Sequence, residues 1–226
     1  IIVVDSGSTD RTVELCRNRG AAVHTTADWP GFGPQKNRAL SLATGEWVLS
    51  LDADERVPPE LRRAIEEALA APGENAAYAV PRRSRYCGRQ MRHSGWWPDY
   101  VTRLFRRGRA RFSDDTLHER LVVEGPVGRL RAPLEHEAFA DLEEVLETVN
   151  RYSTAGAAAM HHRGERATLA RAVLHGFWSW FHTYIHRAGF LDGREGFMLA
   201  LSNAEGTYYR YLKLMLLTKR RKPESP

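Results

Sequence analysis

Short apolar runs and mixed segments alternate along the N-terminal part of the chain. The apolar runs lie at residues 1–4, 21–25 and 47–51 and are rich in β-branched residues, leucine or tryptophan. The runs at 1–4 and 47–51 predict buried strands, as in a parallel sheet, and the run at 21–25 predicts another short strand. Because a helical segment follows each run, the order indicates an α/β fold with a mostly parallel central sheet.

The helical segments carry recognisable start signals. Ser8 or Thr9 is positioned to cap the first helix. Two prolines at 58–59 open a later helix, which places Leu61 and Ile65 on one face. These signals strengthen the α/β assignment, because caps and apolar periodicity fall where the alternation requires helices.

The pattern changes twice further along the chain. Short strands and loops are predicted over 78–128, and helices are predicted from Leu142 onward. We therefore expect an α/β domain at 1–140 and a C-terminal helical region at 141–226. Because the sequence starts inside an apparent strand, we also expect that the first strand of the fold is missing.

Carboxylates follow two of the predicted strands. Asp5 ends the first apolar run, and Asp52 and Asp54 form a DxD after the run at 47–51. Ligands of α/β sheets bind beyond the carboxyl ends of the strands, and paired carboxylates can hold a divalent metal together with a diphosphate. The alternative is an acidic turn that caps the next helix. Ser6 begins a small-residue turn that lets a ligand approach the backbone closely.

Other polar residues are candidates for the same site. Lys36 and Arg38 lie at the start of a helix, where they could bind phosphate or simply be solvated. Glu119 could act as a general base, or it could be a polar strand end, and Asp114 and Asp115 compete for the role of base. His136 could ligate the metal, or it could be a structural histidine.

Charge favours acidic partners. The net charge is +5 and the isoelectric point is about 9.4, which suits nucleotides, phosphates, anionic lipid or nucleic acid. Ten arginines lie between 82 and 111 against one acid, Asp99. With Trp96 and Trp97 among them, this segment could face nucleic acid or a phosphorylated sugar acceptor.

Several motifs, taken in order, resemble one family. The segments "VVDSGSTDRT", "GFGPQKNRAL", "GEWVLSLDADE" and "HERL" resemble family 2 glycosyltransferases of the GT-A fold. The segments "WWPDYVTRLFRRGRARFSDDTLHERL", "NRYSTAGAAA" and "GFLDGREGF" are similar to the bacterial branch that adds sugars to the lipopolysaccharide core, of the β-1,4-glucosyltransferase type. The resemblance implies that 1–140 is the catalytic domain, N-terminally truncated by the loss of the first strand and its nucleotide-contacting loop.

The resemblance also implies a nucleotide-sugar site with a bound Mg²⁺ or Mn²⁺. Asp54 would ligate the metal, Asp52 would contact the ribose or the metal shell, and His136 would complete that shell. Asp5 would contact the nucleobase and Lys36 the phosphates. The implied nucleotide-sugar-binding set is Asp5, Ser6, Lys36, Asp52 and Ala53.

The same resemblance implies the reaction. Glu119, or Asp115 in its place, would take the proton of the acceptor hydroxyl in an inverting displacement at the anomeric carbon. Trp96, Trp97 and Arg103 would contact the acceptor. The expected reaction moves glucose from a UDP-sugar to a lipid-linked glycan such as the lipopolysaccharide inner core.

Three alternatives to this function stay open. The acceptor could be a polyprenyl phosphate or a protein. The chain could instead be a non-catalytic nucleotide-binding membrane scaffold, or a nucleic-acid-binding module built on the arginine-rich segment. We favour the enzyme and expect no nucleic acid partner.

The C-terminal region predicts contact with a membrane. The segment 169–217 is rich in aromatic residues, and cations follow it at Lys219 to Lys222. Its apolar stretches are broken by histidine and arginine, and none reaches the roughly 18 residues needed to cross a bilayer. We therefore expect peripheral attachment to the cytoplasmic face of the bacterial inner membrane.

Overall fold

The computed structural model describes residues 1–113 and 119–219. The strands in this part of the chain are β1 (Ile2–Asp5), β2 (Ala22–Thr25), β3 (Trp47–Leu49), β4 (Glu55–Arg56), β5 (Ala77–Tyr86), β6 (Arg89–Gln90), β7 (Asp99–Arg106), β8 (Ala110–Phe112), β9 (Leu121–Val123), β10 (Val127–Arg129) and β11 (Leu134–Phe139). The helices are α1 (Thr12–Asn18), α2 (Phe32–Ser41), α3 (Pro59–Ala70), α4 (Leu142–His162), α5 (Leu169–Phe181) and α6 (Gly193–Lys219). A π-helical turn (His182–His186) and a 3₁₀ turn (Gly189–Asp192) lie between α5 and α6.

The chain divides into two compact units that interleave in sequence. The first unit comprises Ile1–Ala53, Val57–Val80 and Tyr100–Pro133, and the second comprises Asp54–Arg56, Pro81–Asp99 and Leu134–Pro226. Strand β5 therefore contributes its first residues to one unit and its last residues to the other. The boundary predicted at residue 140 separates a catalytic domain from a helical region, which is a different division from these two units. It stays a prediction.

The first unit contains the early strand–helix alternation. Strands β1 and β2 pair in parallel, with Asp5 opposite Thr25. Strand β10 pairs in parallel with the start of β5, whereas β3 pairs antiparallel with β7 and β8 with β9. Its core includes Ala77, Phe105 and Phe112. The predicted α/β order is present, and the strand pairing is mixed.

Strand β3 is less buried than its sequence predicts. The strand ends at Leu49, and the side chains of Leu49 and Leu51 are exposed. Among the described strands, β3 pairs with β7 alone and is the last in its sheet. An edge strand is covered on fewer sides than a central one, so an apolar run there need not be buried.

The second unit joins strands to the C-terminal helices. Strand β11 pairs in parallel with the end of β5 and antiparallel with β4. Helix α6 packs against both α4 and α5. Tyr86, Met91, Val145 and Leu199 form a buried cluster in this unit. Among the described residues, no helix has both the length and the hydropathy to cross a membrane.

A buried carboxylate organises one loop of the second unit. Asp192 is almost fully buried. Its oxygens accept hydrogen bonds from the backbone N–H groups of Arg92 and His93, at 3.0 and 2.9 Å, and from the Ser94 hydroxyl at 3.2 Å. The His93 Nδ1 lies 3.2 Å from the same carboxylate. The motif "GFLDGREGF" therefore ties the loop that precedes Trp96 to the helical region.

Replacing Asp192 by Ala is expected to destabilise the fold by about 3 kcal/mol or more, because several buried donors lose their acceptor together. The shift of the urea midpoint measures this effect. Asp192→Asn keeps the shape and one carbonyl acceptor, so we expect a smaller loss. An unchanged midpoint in Asp192→Ala would show that the cluster does not hold the loop.

Candidate active site

The loop after β1 is organised by the Asp5 carboxylate. Asp5 is buried, and Oδ2 accepts hydrogen bonds from the backbone N–H groups of Gly7 and Ser8, at 3.0 and 3.1 Å. The Ser8 hydroxyl donates to Oδ1. This hydroxyl first, and then the Gly7 N–H, hold the pKa of the Asp5 carboxyl below its ordinary value. The prediction that Ser8 or Thr9 caps α1 is wrong, because Ser8 serves Asp5 and Arg11 is the N-cap.

Gln35 links this loop to α2. Its Nε2 donates to the Ser6 hydroxyl at 2.7 Å and to Thr26 Oγ1 at 2.9 Å. The Gln35 side chain is buried, so its amide fixes the direction of the small-residue turn. Sequence reasoning missed Gln35, although it directly precedes Lys36 in "GPQKN". Ser6 thus lies in a turn that hydrogen bonds to Asp5 and from Gln35 stabilise.

Lys36 bridges two of the predicted site carboxylates. Its Nζ lies 2.8 Å from Asp52 Oδ1 and 2.7 Å from Glu119 Oε1. All three side chains are at most about one-third exposed. The sequence places them in separate motifs, and the fold of the first unit brings them together. Lys36 is a cation that could bind phosphate, and the Glu119 carboxylate beside it is a candidate general base.

Arg103 is a second cation at Asp52. Its guanidinium Nη2 donates to Asp52 Oδ2, and the arginine is buried. Burial alone would raise the pKa of Asp52, but Arg103 and then Lys36 outweigh it, so the pKa lies below its ordinary value. Asp52 is therefore ionised at neutral pH. The sequence predicted Arg103 for acceptor binding and did not reveal this partner.

Arg38 is held by Asp28. The sequence alone allowed this arginine either to bind phosphate or to be solvated. Its Nη1 and Nη2 lie 2.9 and 2.7 Å from the two Asp28 oxygens. This bidentate pair gives the guanidinium a fixed partner. Lys36, which lies beside Asp52 of the DxD, stays the candidate for phosphate on α2.

A close backbone approach sets the position of α2 beside Glu119. A Cβ built on Gly33 would lie 1.9 Å from the carbonyl oxygen of Ser113 and 3.4 Å from Glu119 Cβ. A backbone oxygen cannot move away without moving its segment. Glycine at 33 therefore lets α2 carry Lys36 to Glu119.

Replacing Gly33 by Ala is expected to cost about 1–3 kcal/mol of stability, as overpacking does, and to lower activity by displacing Glu119 from Lys36. Thermal unfolding and a turnover assay measure the two effects. Gly206→Ala is the matched control, since its nearest neighbour is a Val149 methyl at 3.7 Å. Equal behaviour of the two variants would contradict the close-approach argument.

Asp54 and His136 come together in the second unit. His136 Nε2 lies 3.4 Å from Asp54 Oδ2, and the Ser84 hydroxyl lies 2.8 Å from His136 Nδ1. The register of β11 creates this arrangement, because His136 is opposite Ser84 on β5. The backbone oxygen of Asp54 accepts a hydrogen bond from Glu137 N at 3.0 Å. Sequence reasoning gave no signal for Ser84.

The chemistry of this pair fits a divalent metal. A metal on Nε2 requires the histidine proton on Nδ1, where Ser84 Oγ can accept it. Within 1–113 and 119–219, no group of three or more His, Cys, Asp or Glu side chains is arranged to hold a metal. Two protein ligands still match a metal whose remaining ligands are phosphate oxygens and water. The assignments of Asp54, Asp52 and His136 to a metal stay predictions.

The remaining predicted residues differ in their surroundings. Trp96 packs beside Tyr86 and Phe139 in the core of the second unit, whereas Trp97 is partly exposed. Ala53 separates Asp52 from Asp54 in sequence. Asp114 and Asp115 lie outside the described residues. The acceptor and base assignments of these residues stay predictions.

The arginine-rich segment is partly neutralised by acids. At least five of its ten guanidinium groups lie within ion-pair distance of carboxylates, and these pairs are Arg82–Asp99, Arg83–Glu135, Arg89–Glu195, Arg103–Asp52 and Arg106–Glu46. Arg82 also lies 4.0 Å from the buried Glu55. Much of the positive charge in this segment therefore contributes to internal ion pairs.

Comparison with known proteins identifies the family. Residues 1–130 match the family description "Glycosyl transferase family 2". The chain is 31% identical over 220 residues to the lipopolysaccharide core biosynthesis glycosyltransferase LpsC of Rhizobium meliloti, covering 90% of this chain and 78% of that protein. It is 28% identical over 225 residues to the uncharacterized glycosyltransferase RP128 of Rickettsia prowazekii, covering 95% and 77%. The crystal structure of S. aureus TarS 1-349 is similar with a TM-score of 0.44 and 16% identity, covering 99% of this chain and 83% of that one.

The fold and the family match together define an α/β glycosyltransferase. The chain belongs to glycosyl transferase family 2. The resemblance predicted from the motifs and the predicted fold class are therefore confirmed.

Proposed function

We propose that the chain is an inverting glycosyltransferase of lipopolysaccharide core assembly. The donor would be a nucleotide-diphosphate sugar, expected to be UDP-glucose, and the acceptor a lipid-linked glycan such as the inner core. Family membership supports sugar transfer, and similarity to LpsC supports the acceptor class. The single observation that carries the mechanism is Lys36, whose Nζ lies within 2.8 Å of both Asp52 and Glu119.

Lys36 would bind the donor diphosphate. An ammonium group is a strong point charge for phosphate, and Asp52 keeps it at the end of β3. The loop organised by Asp5 and Ser6 would contact the nucleoside, and Ala53, with no bulky side chain, would let it approach the chain. Asp52, ionised and held by Arg103, would accept hydrogen bonds from the ribose hydroxyls.

Glu119 would act as the base. Its Oε1 lies 2.7 Å from Lys36 Nζ, and an incoming phosphate would compete for that ammonium. Once Lys36 turns to phosphate, the Glu119 carboxylate can take the proton of the acceptor hydroxyl. The acceptor oxygen then forms its bond to the anomeric carbon from the face opposite the diphosphate. The bond to the diphosphate breaks, the diphosphate keeps the electron pair, and the anomeric configuration inverts.

Asp54 and His136 would hold the metal. When bound, a divalent ion supplies positive charge that stabilises the leaving diphosphate. Ser84 would keep the imidazole in the required tautomer. Because Mg²⁺ strongly prefers oxygen ligands while this pair supplies one nitrogen, we expect Mn²⁺ to bind more tightly than Mg²⁺.

A transfer assay tests the proposed function. Purified chain, Mn²⁺ and UDP-glucose are incubated with lipopolysaccharide from a strain whose core is truncated after the inner core. The mass of the product is measured by mass spectrometry. The expected result is the addition of one hexose, which EDTA prevents. Parallel reactions with a polyprenyl phosphate and with protein identify those alternative acceptors. Hexose transfer only to one of these would contradict the proposed acceptor.

We propose that this reaction takes place at the cytoplasmic face of the inner membrane.

A further inference from the structure

Helix α5 exposes a continuous apolar face. We call it the α5 face, and its members are Leu169, Val173, Leu174, Phe177, Trp178, Phe181 and Ile185. They recur every three or four residues and so lie on one side of the helix and the π-helical turn that continues it. The exposed fractions reach 67% for Leu174, 62% for Phe177 and 59% for Trp178. Large apolar side chains clustered in this way mark an interaction surface.

The opposite side of α5 is already covered. Ala172 is fully buried, and a Cβ built on Gly176 would lie 3.1 Å from Tyr208 Cβ on α6. Trp180 and Tyr184 stack on each other, and Tyr184 also contacts Phe197 on α6. The α5 face is therefore not the core side of the helix.

The charged residues within the segment that carries the α5 face have one sign. Residues 166–191 contain no aspartate or glutamate, whereas Arg166, Arg171 and Arg187 lie within them and are exposed. The flanking acids are already engaged, since Glu165 pairs with Arg163 at 2.8 Å and Asp192 is buried. The exposed charges within the segment that carries the α5 face are thus positive, which complements an anionic partner.

We propose that the α5 face docks on an anionic lipid bilayer. Apolar and aromatic side chains beside cations suit the boundary between headgroups and acyl chains. A second copy of the chain would bring two positive surfaces together. Nucleic acid would satisfy the arginines but would leave leucine, valine and phenylalanine in water. The lipid surface is the partner that matches both properties, and this proposal does not depend on the donor or acceptor proposed above.

Vesicle co-sedimentation at low salt tests the proposal. The chain is mixed with vesicles of equal parts phosphatidylglycerol and phosphatidylcholine, or with vesicles of phosphatidylcholine alone. We expect binding to the anionic vesicles, partial release in high salt, and much weaker binding to the neutral ones. Equal recovery in the supernatant with both vesicles would overturn the proposal.

Variants locate the contact. The double variant Phe177→Ser/Trp178→Ser is expected to bind anionic vesicles at least about tenfold more weakly, because it removes two large apolar groups from the bilayer. Leu142→Ser/Leu146→Ser is the matched control, since both leucines are exposed on α4, and it should bind as the wild type does. Binding that is unchanged in the first variant would place the contact elsewhere and overturn the assignment.

Charge variants test the basic flank. Arg166→Gln/Arg187→Gln should lose about fivefold in affinity per arginine, whereas Arg17→Gln/Arg63→Gln, at exposed positions of α1 and α3, should lose less. Equal losses in the two double variants would show that only net charge matters and would overturn the proposed orientation.

Two further measurements keep the proposal testable if a variant misfolds. Brominated phosphatidylglycerol should quench the tryptophan emission of the wild type, and Trp178→Phe should reduce that quenching while vesicle binding remains. Light scattering reports self-association. A dimer that Phe177→Ser/Trp178→Ser abolishes, without vesicle binding by the wild type, would assign the α5 face to a second copy. None of these experiments uses a nucleotide sugar, so their failure would leave the proposed reaction intact.

Discussion

Glu119→Gln is expected to lower the turnover of sugar transfer by about a hundredfold or more, the range for loss of a general base. The amide keeps the size of the carboxylate and cannot take the acceptor proton. Donor binding should survive, because Lys36 retains Asp52 as a partner at 2.8 Å. The turnover number of the transfer assay measures the first effect, and calorimetry with the nucleotide sugar measures the second.

Two comparisons make this result specific. Glu124→Gln removes an exposed acid of the same unit and should leave turnover unchanged. Asp115→Asn receives the same assay, because Asp115 is the competing candidate for the base. If Asp115→Asn is inactive while Glu119→Gln keeps wild-type turnover, the base is Asp115 and the role assigned to Glu119 is wrong.

Asp54→Asn is expected to abolish Mn²⁺-dependent binding of a nucleoside diphosphate while the fold stays intact. The substitution removes the only negative charge of the Asp54–His136 pair, and a neutral amide is a weak ligand for a hard divalent ion. Calorimetric titration with UDP, in Mn²⁺ and in EDTA, measures the loss. His136→Ala should weaken the same binding, and unchanged thermal unfolding would show that the fold is retained.

Glu137→Gln is the matched control for Asp54→Asn. Glu137 lies on the same strand as His136, its side chain is exposed, and its backbone N–H still holds the Asp54 carbonyl after substitution. It should bind UDP and Mn²⁺ as the wild type does. Wild-type affinity in Asp54→Asn would show that Asp54 does not ligate the metal.

Local sequence signals predicted the elements better than their surroundings. The strands near Asp5 and Thr25 and the helix that starts after Pro58 lie where apolar runs and prolines placed them. Leu61 and Ile65 are buried as their spacing predicted. These features depend on residues a few positions apart, which the sequence displays directly.

Partners that are distant in sequence were harder to foresee. Nothing beside Arg103 in the sequence indicates that its guanidinium binds Asp52, since 51 positions separate them. Ser84 meets His136 only because β11 aligns with β5 in one register. The edge position of β3, which exposes Leu49, likewise depends on strand order. Periodicity predicts which face of an element is apolar, but the fold decides which neighbour covers it.

The motifs predicted the composition of the candidate site more fully than its electrostatics. Lys36, Asp52 and Glu119 were all candidates. In the first unit the carboxylates of Asp52 and Glu119 lie within 2.8 Å of Lys36 Nζ. The depressed pKa of Asp52, with Arg103 and Lys36 opposing its burial, required the structure. Gln35 was missed because a neutral amide carries no charge signal in a sequence.

The proposed reaction requires the chain to bind a nucleotide-diphosphate sugar together with a divalent metal. Thermal unfolding with a panel of nucleotide sugars, each in Mn²⁺ and in EDTA, tests it most directly. A ligand at a hundred times its dissociation constant adds about 2.7 kcal/mol, which in a chain of this size raises the melting temperature by about 5–10 °C. We predict such a shift with UDP-glucose in Mn²⁺ and its loss in EDTA. No shift with any nucleotide sugar, or equal shifts in Mn²⁺ and EDTA, would show that the chain does not bind a nucleotide sugar together with the metal.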